Sequence, residues 1–232
     1  MRFLLIFFLI CTKASADFQI GQLPQDVHQK TKCLNKQFLI SKPKNSKPQP
    51  VFIFLHGIGK RGSEINKLKS MGKLILKNTA KYDMLTILPQ CSINKQGKGW
   101  WDSQDLNLLL DYLKKTYKVD DKRIYLCGFS MGGFGTWDWA MASPKTFAAI
   151  APIAGGSRKQ KVAQLKELNI WTFHGKKDQT VKYEKTKLLV DALLKLKSTR
   201  VKFTSYESEG HGIVMQTLKN PELYKWFTVQ SK

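Results

Sequence analysis

The sequence predicts an α/β fold, with a mostly parallel central sheet and helices on both faces. Two observations carry that expectation. Short runs of β-branched and aromatic residues, such as residues 51–55 and 84–88, lack the polar alternation of a half-exposed strand and read as strands buried on both sides. Between them lie stretches whose apolar residues recur at helical spacing, and strands alternating with helices fold into a parallel sheet covered on both faces.

The first element, residues 34–41, mixes apolar and polar side chains and reads as an edge strand before the proline-rich turn at 42–50. Residues 51–55 form a buried strand that stops at His56-Gly57-Ile58-Gly59. Ile65, Leu68, Met71, Ile75 and Leu76 predict a helix over 64–81, and residues 84–89 another strand. Leu106, Leu109, Leu110, Leu113 and Tyr117 place a helix at 102–118, followed by a strand at 123–127. A helix over 133–142 is closed by Ser143-Pro144, because the residue before proline disfavours helix. Further strands are expected at 147–151, 170–173 and 201–206. A helix over 181–196 should turn Leu188, Leu189, Ala192, Leu193 and Leu196 inward.

Residues 1–16 read as a signal peptide. Arg2 precedes an apolar run too short to span a bilayer, and Ala14-Ser15-Ala16 fits a cleavage site, so export with cleavage near Ala16 is expected. Residues 17–232 are then enough for a single well-filled domain with no room for a second or for a separate lid domain. The formal net charge is +22, from 39 basic and 17 acidic residues. Its lysines are scattered and no nucleic-acid module is recognisable, so no specific nucleic acid is expected. A basic surface could still attract anionic lipid or polysaccharide. Cys33, Cys91 and Cys127 allow at most one internal disulfide, with the pairing left open. No cysteine or histidine cluster has metal-ligand spacing, and neither a metal nor a cofactor is expected.

The chemistry concentrates in loops that follow strands. Gly128-Phe129-Ser130-Met131-Gly132-Gly133 joins a strand to a helix, and G-x-S-x-G at such a turn exposes the serine side chain. Three fixed positions recur by chance, so the surrounding order matters more than the motif. Asp178 and His211 follow later strands, giving the order serine, acid, histidine. In that reading Ser130 is the nucleophile, His211 its general base, and Asp178 the group that orients His211. The backbone N–H groups of Ile58 and Met131 are the candidate oxyanion donors. The weaker alternative for Asp178 is a cap on the helix that begins near Val181, while Asp102 and Asp105 precede the nucleophile and break the order. His56, Gly57, Trp100 and Trp101 are candidates to line the substrate site. His56 and His174 adjoin apolar strands and fit a structural hydrogen-bonding role as well as a substrate contact.

Taken together, Phe54-Leu55-His56-Gly57-Ile58-Gly59-Lys60-Arg61-Gly62, Pro89-Gln90-Cys91, Trp100-Trp101-Asp102, Gly128 to Trp137, Trp171-Thr172-Phe173-His174-Gly175, Asp178 and Gly210-His211 make the chain resemble small bacterial α/β-hydrolases of the phospholipase/carboxylesterase type. It is most similar to the exported group of feruloyl-esterase-like proteins and predicted peptidases. The resemblance implies an esterase with Ser130, Asp178 and His211 as its triad. With no segment long enough for a lid domain, an open site suited to small or surface-presented esters is expected, on a monomer. That group often carries tryptophan shortly after the catalytic histidine, where this chain has Ile213 and Val214. A peptidase or amidase on the same triad, and a noncatalytic binder of anionic surfaces, are the competing readings.

Overall fold

The computed structural model describes residues 17–43, 46–94, 96–157 and 161–232; the signal peptide expected at 1–16 lies outside the described residues. The chain runs through β1 (Gln19–Gln22), α1 (Gln25–His28), β2 (Leu34–Ser41), β3 (Gln49–Leu55), α2 (Lys69–Thr79) and β4 (Leu85–Cys91). It continues through α3 (Ser103–Thr116), β5 (Val119–Phe129), α4 (Met131–Ala142), β6 (Ala149–Ile153) and β7 (Asn169–Gly175). The last elements are α5 (Glu184–Lys195), β8 (Val201–Tyr206), α6 (Val214–Lys219) and α7 (Pro221–Thr228).

These strands form an eight-stranded sheet in the order β1-β2-β4-β3-β5-β6-β7-β8. The first two pairings, β1 with β2 and β2 with β4, are antiparallel, and every pairing from β4 to β8 is parallel. Strand periodicity divides the core into two layers. Val51, Ile53 and Leu55 of β3 face α3 and α4, where Leu106, Leu109, Leu113, Trp137 and Ala140 meet them. Phe52 and Phe54 face the other way, onto Ile75 of α2 and Leu223, Tyr224 and Phe227 of α7. The Phe52 ring lies 5.5 Å from that of Phe227, edge to face. No separate lid domain stands among the described residues.

The structure corrects the sequence reading in several places. The helix expected over 64–81 is a 3-10 turn, Ile65–Leu68, leading into α2. The strand expected at 147–151 is shifted two residues later, as β6. On α5 the inward residues are Thr186, Val190 and Leu193, whereas Leu188 is 66% exposed and Leu196 38%. Leu188 stands two residues from both Thr186 and Val190, on the opposite side of the helix. A polar residue wins the inward position because the Thr186 hydroxyl lies 2.7 Å from His174 Nδ1. The sequence reading also missed β1, α1, α6 and α7. For α7 the signal was present: Asn220 caps Glu222 N–H, Pro221 opens the helix, and Leu223, Tyr224 and Phe227 share a face.

Candidate active site

At the carboxyl end of β5 the chain turns sharply into α4. Ser130 occupies the turn with φ 56° and ψ −118°, a conformation that L-residues rarely adopt. Its N–H donates to Ile153 O (2.9 Å), and its carbonyl accepts the Phe134 N–H (3.0 Å). Two glycines make this path passable. A Cβ on Gly132 would stand 1.9 Å from Leu55 O, and one on Gly128 would stand 2.3 Å from Gly132 O. Helix α4 therefore presses directly against the end of β3, bringing Ser130 beside the loop that follows β3.

Asp178 and His211 arrive from the far side of the sheet. The Lys176 N–H donates to Tyr206 O and the Lys177 N–H to Glu209 O, both 2.9 Å, which zips the loop after β7 to the loop after β8. Across that seam His211 Nδ1 lies 2.7 Å from Asp178 Oδ2, and His211 Nε2 lies 2.8 Å from Ser130 Oγ. The His211 ring also packs on Phe129, with ring centroids 4.9 Å apart. Asp178 does not cap the helix that follows, since α5 begins at Glu184 and has no side-chain cap. Its Oδ1 accepts the N–H groups of Thr180 and Val181 in a local turn, leaving Oδ2 for the histidine.

His174, buried at the end of β7, braces this acid. Its Nε2 donates to Val181 O (2.8 Å) and lies 3.2 Å from Asp178 Oδ2. Burial pulls His174 below the ordinary histidine pKa, against the opposing pull of Asp178. Asp102 and Asp105 are excluded from this constellation. Asp102 caps α3 through the N–H groups of Gln104 and Asp105, while Asp105 accepts the N–H groups of Lys32 and Cys33.

The two expected oxyanion donors come from different elements, Ile58 from the loop after β3 and Met131 from the start of α4. Ile58 opens a 3-10 turn and Met131 opens α4, so neither N–H has a carbonyl one helical turn back to donate to. Gly57 brings the loop against the elbow: a Cβ there would meet the Phe129 ring at 3.2 Å. His56, beside it, is buried and held by backbone. It is 1% exposed, its Nε2 accepts the Cys91 N–H (3.0 Å), and its Nδ1 donates to Gly57 O (2.7 Å). That pairing fixes the neutral tautomer, and burial lowers the pKa to about 4.

Trp101 is likewise structural. It is 6% exposed, donates from Nε1 to His56 O (3.1 Å), and lies with its ring 4.9 Å from the His56 ring. Trp100 is the one that lines open space: with Ile58 it borders a cavity of about 550 Å³, and its ring stands edge-on to Phe134 at 5.9 Å. Gln90 went unnoticed in the sequence reading. Its side-chain amide donates to Lys60 O and Glu64 O, holding the loop after β3 from beneath. The available signal was a polar residue inside an otherwise apolar strand end. Cys33, Cys91 and Cys127 are free thiols; burial raises Cys91 to about 12 and drives Cys127 upward.

Comparison with known proteins bears on the family and the fold. The profile of the phospholipase/carboxylesterase family matches residues 77–224, well over half of the chain. The chain belongs to that family. A probable carboxylesterase, SOBER1-like, from Arabidopsis thaliana is 24% identical over 216 residues, covering 81% of this chain and 82% of that protein. The bifunctional acetylxylan esterase/xylanase XynS20E of Neocallimastix patriciarum is 33% identical over 87 residues, covering 38% of this chain. Among solved structures, a thermostable esterase superposes with a TM-score of 0.81 at 28% identity over 93% of this chain. The chain spans 13% of the length of XynS20E and 64% of that esterase. Membership in this family and the observed sheet establish an α/β-hydrolase fold.

Proposed function

We propose that the chain is a serine carboxylesterase that works through an acyl-enzyme on Ser130. The observation that carries this reading is the continuous hydrogen-bonded line from Asp178 through His211 to Ser130, at 2.7 and 2.8 Å. His211 Nε2 accepts the Ser130 proton as Oγ attacks the ester carbonyl, and Asp178 steadies the imidazolium that forms. Negative charge developing on the carbonyl oxygen is met by the N–H groups of Ile58 and Met131. His211 then protonates the departing alkoxide. A water molecule deprotonated by His211 releases the acid in a second, equivalent step. Besides the ester and the water, each step draws on side chains and backbone of this chain. The signal peptide expected at 1–16 supports placing this reaction outside the cytoplasm.

The test is hydrolysis of short p-nitrophenyl esters by residues 17–232, together with labelling by a fluorophosphonate probe. Both should be lost in Ser130→Ala with the fold retained by circular dichroism. Undiminished hydrolysis in that variant would sink the assignment. A parallel panel of p-nitroanilides separates ester from amide cleavage.

A further inference from the structure

The cavity bordered by Ile58 and Trp100 has an unusual charge balance. At about 550 Å³ it falls within the size range of small-molecule sites, and it opens beside the loop that carries the proposed oxyanion donor. Its charged lining residues are Arg61 and Lys98, with Asn94 as a neutral polar neighbour. Arg61 is half-buried. Its Nε donates to Ile58 O (3.2 Å) and its Nη1 to Gly99 O (2.9 Å), so the guanidinium is held rigidly across the cavity wall with Nη2 uncommitted in either bond.

Among the described residues neither Arg61 nor Lys98 pairs with a carboxylate. The nearby acids are engaged elsewhere: Asp102 caps α3 and lies 3.6 Å from Lys32 Nζ, Asp105 binds the N–H groups of Lys32 and Cys33, and Glu64 pairs with Lys67 at 3.2 Å. A guanidinium partly withdrawn from water and left without an anion can take a carboxylate or phosphate, which its planar fork matches with two parallel bonds.

We propose that this cavity is an anion-recognising subsite, and that the substrate is an ester bearing a carboxylate or phosphate group, which Arg61 and Lys98 bind beside Trp100. The proposal rests on the esterase reading above and names its substrate class. Arg61 fixes the orientation of the anion because it is anchored at two backbone carbonyls. Lys98, on an exposed stem, supplies an adjustable second charge. The same Arg61 bond to Ile58 O means that occupancy of the subsite bears on the strand of backbone carrying the Ile58 N–H.

The experiment compares matched esters. On the acyl side the pair is p-nitrophenyl valerate and p-nitrophenyl hemiglutarate, which differ by a terminal methyl against a carboxylate. On the alcohol side the pair is the methyl ester of para-acetoxybenzoate and para-acetoxybenzoate itself. In the unsubstituted enzyme the kcat/KM ratio of anionic to neutral ester should be about tenfold in favour of the anion in at least one pair, and that pair identifies which end of the ester enters the cavity.

The ratio should fall about threefold in Lys98→Gln, fall further in Lys98→Glu, and approach one in Arg61→Gln. Added salt should reduce the Lys98 contribution first, since that charge is exposed. Because Arg61 also braces its loop, the Lys98 pair of variants carries the test independently of folding. A ratio near one in both pairs overturns the subsite, as does a preference that survives all three substitutions. If instead no ester is cleaved in a Ser130-dependent manner, it is the esterase reading that has failed, a result distinct from cleavage without anion preference.

Discussion

The same dipeptide stands at the carboxyl ends of two strands, His56-Gly57 directly after β3 and His174-Gly175 closing β7, and the two histidines perform different tasks. Both imidazoles are buried, and both have each ring nitrogen engaged. His56 accepts a backbone N–H from the end of β4 and so carries its proton on Nδ1, which reaches Gly57 O. What it holds is backbone: the loop on which Ile58 N–H is displayed. His174 faces a carbonyl with Nε2 and therefore carries its proton there, beside the Asp178 carboxylate. What it holds is a side chain, which in turn holds His211. Identical local sequence thus acquires opposite tautomers because the partner across the gap is a donor in one case and an acceptor in the other.

The sharpest way to probe the β7 side is Asp178→Asn. It should lower kcat by about 10⁴ with little change in KM, because the amide no longer selects the productive tautomer of His211. Steady-state kinetics on a short ester reads this directly, and a loss under tenfold would remove Asp178 from the triad.

Next in size is a direct contrast between the two buried histidines. His56→Ala should cost about 10² in kcat through the displaced oxyanion loop, and about 1–3 kcal/mol of stability from the unpaired Cys91 N–H. His174→Gln should cost only about tenfold in kcat, because Asp178 keeps its two backbone donors in the turn at Thr180 and Val181. Equal losses in the two variants would mean that the two strand ends are interchangeable braces.

Acid should also distinguish the native from the unfolded chain at His56. In the folded state its pKa is about 4, against 6.5 for the free side chain. Above pH 6.5 both states are neutral and the contribution to stability is complete. As pH falls toward 4 the unfolded chain binds a proton that the native one refuses, so stability declines by about 3 kcal/mol and then levels off. His174 shifts in the same direction and adds to the slope. Urea midpoints at neutral and acidic pH measure the decline, and His56→Gln should flatten it.

The smallest effect expected is that of Trp101→Phe, which removes the indole donor to His56 O while keeping the tilted ring contact. About 1 kcal/mol of stability should be lost with kcat nearly unchanged. A larger kinetic effect would place Trp101 closer to substrate than its burial allows.

Much of the fold was legible because its signals are local. The run Val51 to Leu55 could only be a strand buried on both faces, and the two core layers confirm its alternate side chains pointing apart. The elbow was legible for the same reason, since glycines at 128 and 132 mark backbone that must pass within contact of other backbone. Less legible was α5, where Leu188 and Leu196 suggested an inward face that the His174 contact assigned to Thr186 instead. Hydrophobic periodicity cannot register a hydrogen bond whose partner lies 12 residues away on another element. Nor could it divide the adjacent tryptophans, one turned into the cavity and the other locked beneath His56.

By itself the sequence determined the alternation of strands and helices, the turn that exposes Ser130, and the order in which Ser130, Asp178 and His211 follow one another, because each is written in near neighbours. Tertiary structure alone decided that these three meet within hydrogen-bonding distance, that His56 is a brace and not a substrate contact, and that Arg61 and Lys98 face one cavity without an acid between them. Those outcomes depend on which strand ends become neighbours in the sheet and on which donors remain unmatched after packing, and no stretch of sequence contains both partners.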